Sequence, residues 1–159
     1  MITFSGTRYN YGWMSNFYKC RIEYDGLLFS SSEAAWQAQK TLNLKKREEF
    51  QYMSPGVSKR EGRHVTLRSD WEDVKYDLMV DILKVKFAPD TKLAFYLKNS
   101  GNEEIMEDTT GWHDNIWGNC NCERCKNIVG KNLLGKALME VRAYNNKLND
   151  CSGEEMKLF

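Results

Sequence analysis

Ser30-Ser31-Ser32-Glu33-Ala34-Ala35-Trp36-Gln37-Ala38-Gln39-Lys40 is the stretch on which the fold turns. Serines precede a run of alanine, glutamine and lysine, all strong helix formers. Ser30 and Glu33 stand at capping-box spacing ahead of it. The run predicts a helix opening at Ser30 and continuing to about Tyr52. On a helical repeat, positions 33, 37, 40 and 44 share one face, so a carboxylate, an amide and an ammonium line up along it. The helix dipole favours an anionic Glu33 at that end. By spacing alone, Glu33 is equally well explained as the second half of the cap.

Upstream, Arg21-Ile22-Glu23-Tyr24 and Leu27-Leu28-Phe29 flank Asp25-Gly26, a dipeptide suited to a type I′ hairpin. Downstream, Ser54-Pro55 opens a second helix that Gly62 stops. A third follows Ser69 or Asp70, with Trp71, Val74, Leu78, Ile82 and Val85 as its apolar stripe. Pro89-Asp90 starts a fourth that Gly101 ends. Residues 103–129 read as irregular, with a short strand at Ile105-Met106. A last helix follows Gly130 and buries Leu134, Ala137, Leu138, Val141 and Tyr144. The expectation is an α+β, mainly α-helical, compact single domain over residues 1–148 with a small N-terminal β-hairpin. Residues 149–159 are expected to form a disordered tail.

Bulk properties narrow the function classes. A chain of 159 residues suits one domain with a real core. Lys+Arg number 23 against 22 Asp+Glu, without the basic excess of a general duplex binder. The basic clusters at Lys45-Lys46-Arg47, at Lys59-Arg60 with Arg63, and at Arg124 with Lys126 read as solvated surface. No stretch approaches the roughly 18 apolar residues of a membrane span. The N-terminus lacks signal-peptide regions, and five cysteines do not make a disulfide framework. A reducing, cytoplasmic setting is expected.

Several clusters can carry chemistry. Gly12-Trp13-Met14-Ser15-Asn16-Phe17-Tyr18 joins rings to an amide; rings stack on planar heterocycles and Asn16 can read a base edge. Aromatics packed ahead of a hairpin would look the same. Gly62-Arg63, with Arg68, Trp71 and Lys75, offers cations for phosphate, and reads equally as an exposed basic face. Trp112-His113-Asp114-Asn115-Ile116-Trp117-Gly118 packs an acid, two indoles and an imidazole into one loop, dense for a connector. Gly130-Lys131-Asn132-Leu133-Leu134-Gly135-Lys136 is followed by Ala137 and so lacks the P-loop form; Lys131 and Asn132 can still meet an anion at a helix start. Cys120, Cys122 and Cys125 are spaced as three thiolates of a zinc site, with His113 or Cys20 as the fourth ligand. Unreactive thiols or a redox pair at Cys122 and Cys125 are the other readings.

In order and spacing these motifs resemble the NADAR (YbiA-like) family. The likeness runs from Gly12-x-x-Ser15-Asn16-Phe17-Tyr18 through Asp25-Gly26, Ser32-Glu33-x-x-Trp36-Gln37-Ala38-Gln39-Lys40, Ser54-Pro55, Gly62-Arg63, Arg68-x-Asp70-Trp71 with Lys75 and Met79, Lys86-Phe87 and Asp114-x-x-Trp117-Gly118. It closes at Gly130-Lys131-Asn132-x-Leu134-Gly135-x-x-Leu138-Met139-x-Val141-Arg142 and spans roughly residues 8–148. The family's Glu is usually followed by His and an aromatic residue; Ala34 and Ala35 stand there in this chain. The cysteine run after Trp117-Gly118 looks like a subfamily feature.

The resemblance implies a compact, mainly helical YbiA-like fold and N-glycosidase activity. The substrates it implies are phosphorylated ribosylaminopyrimidines of riboflavin synthesis, or ADP-ribose on guanine in nucleic acid. Cleaving a ribose C1–N bond builds an oxocarbenium-like cation. Glu33 is the expected carboxylate beside it and Asp114 the second carboxylate. Asn16, Phe17, Trp36, Gln37, Lys40, Arg63, Arg68, Trp71, Lys75, Trp117, Gly118, Lys131 and Asn132 are the expected binding residues. Catalysis requires no cofactor in this scheme; a structural zinc falls to His113, Cys120, Cys122 and Cys125. The competing readings are a non-catalytic ADP-ribose or nucleotide-binding module and a small zinc-dependent nucleic-acid-binding domain.

Overall fold

The computed structural model describes the backbone of residues 1–157 and the side chains of residues 1–150. The tail expected at 149–159 falls for the most part outside the described side chains. The elements run β1 (Ile2–Phe4), β2 (Ile22–Tyr24), β3 (Leu27–Phe29), α1 (Ser32–Ala38), α2 (Leu44–Glu49), α3 (Pro55–Glu61), α4 (Trp71–Lys86), α5 (Lys92–Asn99), β4 (Ile105–Glu107) and α6 (Leu133–Lys157), with 3₁₀ turns at Gly12–Met14 and Phe50–Tyr52. This is the expected α+β, mainly helical architecture. None of the described helices is long and apolar enough to cross a membrane.

The long helix expected from Ser30 to Tyr52 is broken. Ser31, in extended conformation, is the N-cap, and its hydroxyl accepts the Ala34 N–H. Glu33 is therefore one position too early to close a box with Ser31, and the Ser30 hydroxyl donates to the Met53 carbonyl instead of capping. The helix stops at Ala38 because polar side chains downstream offer the backbone other partners. Thr41 Oγ1 accepts the Asn43 N–H, and Asn43 Oδ1 accepts the Lys46 N–H, which caps a new helix. Arg47 then donates to the Thr41 carbonyl at 2.7 Å and holds the turn.

The hairpin forms as read: Asp25 and Gly26 both take positive φ, 50° and 78°, as a type I′ turn demands, and Tyr24 faces Leu27. The other strand pair is a long-range one. β1 runs parallel to β4 with Ile2 opposite Ile105 and Phe4 opposite Glu107. α4 and α6 pack together over these strands and α1, and the core they share includes Phe29, Phe87, Ile82, Leu83, Ile105, Leu134 and Leu138. Helix α4 is rotated relative to the expected stripe. Val74, Leu78 and Val85 are only half-buried, while Met79, Leu83 and Lys86 join Trp71 and Ile82 inside. On α6, Leu134, Ala137, Leu138 and Val141 are buried, but Tyr144 is exposed beneath the Lys84 ammonium. Ala34 and Ala35 are fully buried in the core.

Candidate active site

Helix α1 sets Glu33 and Gln37 one turn apart along a cleft of about 340 Å³. Gln37 Nε2 donates to Glu33 Oε1 at 2.9 Å, leaving Oε2 for another partner. The start of α1 is tied to the aromatic loop before it: the Glu33 N–H donates to the Asn16 carbonyl, and the Ser32 hydroxyl donates to Asn16 Oδ1 at 2.8 Å. Asn16 is thereby held at the cleft wall with Phe17 beside it. The far side comes from β4 and the loop after it, which bring in Glu107, Trp112, Asp114 and Trp117.

Three carboxyl groups, Glu33, Glu107 and Asp114, thus line one cleft. Asp114 Oδ1 accepts the N–H groups of Ile116 and Trp117 at 2.8 and 3.0 Å, which fixes its orientation. Burial is the largest influence on the other two. It pushes the Glu33 carboxyl above its ordinary range, against the Gln37 hydrogen bond and the ammonium groups of Lys59 and Lys40. Burial works against the anion that the helix dipole favours, since α1 is one short helix and desolvation penalises a buried carboxylate. Glu107 is pushed up to about 8 by burial, then by the charges of Asp114 and Glu33. A carboxyl with that value carries its proton at neutral pH.

The same cleft is lined by Lys40, Lys59 and Arg63. Lys59 Nζ lies 5.9 Å from the Phe17 ring and 5.7 Å from the Trp112 ring, and Lys40 Nζ lies 5.3 Å from Trp36. Burial lowers the Lys40 pKa, with Glu33 opposing. Trp36 and Trp117 meet edge to face with centroids 4.9 Å apart, forming an apolar wall.

Not every expected residue reaches the cleft. Trp71 packs behind Trp36, centroids 5.0 Å apart, and belongs to the core. Arg68 is forked onto Asp70 at 2.6 and 3.0 Å and borders a separate shallow depression with Lys46 and His64. Lys75 pairs with Glu72 at 2.6 Å. Lys131 is exposed and outside the lining. Asn132 is structural: Oδ1 accepts the Glu107 N–H and Nδ2 donates to the Ile105 carbonyl, so it holds β4. Gly118 is buried where a Cβ would strike Thr109 and the Glu107 carbonyl. Asn16, Phe17, Glu33, Trp36, Gln37, Lys40, Arg63, Asp114 and Trp117 do converge on the cleft.

Sequence reading missed Glu107 and left Lys59 to the solvated surface and Trp112 without a role. Lys59 had a signal, its spacing of four residues from Arg63, which lies just past the end of α3. Glu107 had none, since nothing local links it to Glu33. His113, Cys120, Cys122 and Cys125 gather with all four ligand atoms within 4.8 Å of one another. Cys20 is not among them.

The model of the NADAR domain matches residues 3–144. The chain belongs to the NADAR family. The N-glycosidase YbiA of Shigella sonnei is 38% identical over 145 residues, which span 89% of this chain and 86% of that protein. The riboflavin biosynthesis protein VVA0006 of Vibrio vulnificus is 32% identical over 137 residues, 84% of this chain but 35% of that longer one. The NMR structure of Escherichia coli YbiA superposes with a TM-score of 0.79 at 36% identity, covering 93% of this chain and 86% of the other. In this NADAR chain, Ala34 and Ala35 face the core and lie outside the cleft lining.

Proposed function

We propose that this NADAR chain is an N-glycosidase that hydrolyses the C1–N bond between a phosphorylated ribosyl group and a nitrogen heterocycle. The observation that carries the reading is the meeting of Glu33, Glu107 and Asp114 with Lys40, Lys59 and Arg63 in one aromatic-walled cleft. Acids beside cations are what a substrate with an electron-poor sugar and an anionic phosphate requires. The names of the Shigella and Vibrio relatives support the same class.

In this mechanism the heterocycle leaves with the electron pair of the C1–N bond. Glu107 donates a proton to the departing nitrogen, a role open to a carboxyl that is neutral near pH 7. Glu33 stabilises the cation building on C1 and orients the water that attacks it. Asp114, with Oδ1 tied to backbone, takes the proton of the attacking water through its other oxygen. The products are the free base and the ribosyl phosphate. Phe17 and Trp112 flank the heterocycle, Asn16 reads its edge, and the cations hold phosphate. The scheme draws on no cofactor, and His113 and the three cysteines lie outside the cleft lining.

The test offers the purified chain a ribosylaminopyrimidine phosphate and, separately, an ADP-ribosylated guanine oligonucleotide, with mass spectrometry as readout. Release of free base from either supports the activity and names the substrate. Tight binding of either without base release would replace the enzyme with a binding module.

A further inference from the structure

We propose that His113, Cys120, Cys122 and Cys125 form a tetrahedral zinc site that clasps the loop carrying Asp114. His113 Nδ1 lies 3.3 Å from both Cys120 Sγ and Cys122 Sγ, and all four ligand atoms fall within 4.8 Å of one another. A zinc tetrahedron with Zn–S of about 2.3 Å and Zn–N of about 2.0 Å has edges of roughly 3.5–3.8 Å. The donors stand at that scale, and small side-chain rotations close the set. Three thiolates and a neutral imidazole are a structural zinc donor set, and four protein ligands leave no position for a reacting water. None of the four side chains lines the cleft, so the metal is outside the chemistry.

The backbone is shaped for this arrangement. His113 adopts φ +59°, a conformation that a non-glycine residue takes at a cost, and its N–H is held by the Thr109 carbonyl at 2.8 Å. The Cys125 N–H donates to the Cys122 carbonyl at 3.0 Å, closing a tight turn between these two ligands. The Cys120 N–H donates to Asn115 Oδ1 at 2.9 Å. Binding releases the thiol protons to solvent and involves no change of oxidation state.

The loop needs such a clasp. Between Thr110 and Lys131 only Gly118, Cys120 and Cys125 are buried, so the segment has almost no apolar core of its own. A segment without a core is ordered by a metal where hydrophobic burial is lacking. The ligands bracket the active loop: His113 immediately precedes Asp114, and Cys120 follows Trp117 and Gly118. The metal would hold both ends of the turn in which Asp114 receives the Ile116 and Trp117 N–H groups.

The test uses the full chain, expressed with zinc and purified in reductant without chelator. Elemental analysis is expected to find about one zinc per chain. Replacement by Co(II) is expected to show thiolate-to-cobalt charge-transfer absorption with the visible bands of a tetrahedral ion. Cys122→Ser and Cys125→Ser should lower zinc content by about tenfold or more, with Cys20→Ser unchanged. Chelation of the wild type should speed hydrogen exchange in residues 110–131 while the amides of α4 stay protected. Metal-free protein under these conditions, or a mass two daltons light with the thiols blocked, overturns the zinc site. Exchange in 110–131 that ignores zinc removal overturns the clasp. None of these readouts requires a substrate, so the metal and the glycosidase reading stand or fall separately.

Discussion

Glu33 Oε1 accepts a hydrogen bond from Gln37 Nε2 one turn along α1, and both side chains are buried at the wall of an open cleft. Half of the carboxyl group is satisfied inside the protein and half is left for a substrate. Replacing Glu33 by Gln keeps the size and a hydrogen bond to Gln37 but removes the charge. Turnover should fall at least ~10²-fold, as for loss of a preorganised electrostatic group. The melting temperature should hold or rise, because burial penalises the charge that is removed. Steady-state kinetics and a thermal melt check both; near-wild-type kcat would take Glu33 out of the reaction.

Gly62 supports that pair from outside the cleft. A Cβ at position 62 would overlap Gln37 Oε1. Gly62→Ala should therefore displace the Gln37 amide and release Glu33. The expected loss is about tenfold in kcat, with the helical circular-dichroism signal retained. Unchanged kcat would mean that Gln37 does not position the carboxyl group.

Glu107 links activity to pH and to stability. Its pKa rises from an ordinary 4.5 to about 8 on folding. Relative to the charged form, the stability tied to the neutral carboxyl is full below about 4.5. It is lost as pH climbs through about 8, with a slope of at most about 1.4 kcal/mol per pH unit. Glu107→Gln should flatten that fall in denaturant titrations at pH 5 and pH 8. The same variant should cost ~10²-fold or more in kcat, and in the wild type the rate should drop on the alkaline side near pH 8. A variant with the wild-type pH dependence of stability would refute the shifted Glu107.

The cations divide by position. Lys40 and Lys59 line the cleft, whereas Arg68 and Lys75 are paired with Asp70 and Glu72 away from it. Lys40→Ala and Lys59→Ala should raise KM about tenfold with a smaller change in kcat, the mark of lost ground-state binding. Arg68→Ala and Lys75→Ala should leave KM within about twofold, as expected for half-exposed ion pairs. Initial-rate measurements on a phosphorylated ribosyl substrate compare the four; a large KM effect at Arg68 would move the phosphate site.

Much of the frame was legible because it rests on local rules. The Asp25-Gly26 turn, the Ser54-Pro55 helix start, the span of α4 and the start of α6 follow from turn chemistry, capping and 3.6-residue periodicity. The break after Ala38 was not legible. It depends on Thr41 and Asn43 outcompeting helix hydrogen bonds while Arg47 fastens the turn from beyond it. Asp114 and Trp117 could be chosen because costly side chains crowd one short loop. Arg68, Lys75 and Lys131 carry the same residue types but face other partners or solvent.

By itself, the order of residues determined where most helices start, where the hairpin turns, which family the motifs resemble, and that Glu33 and Gln37 share a face one turn apart. Those properties depend on neighbours within a few positions. Only the tertiary structure decided that Ile2–Phe4 pairs with Ile105–Glu107, bringing Glu107 into the cleft with Glu33, and that burial rather than the helix dipole sets the Glu33 proton affinity. Desolvation is a property of everything packed around a group, and no spacing along the chain encodes it.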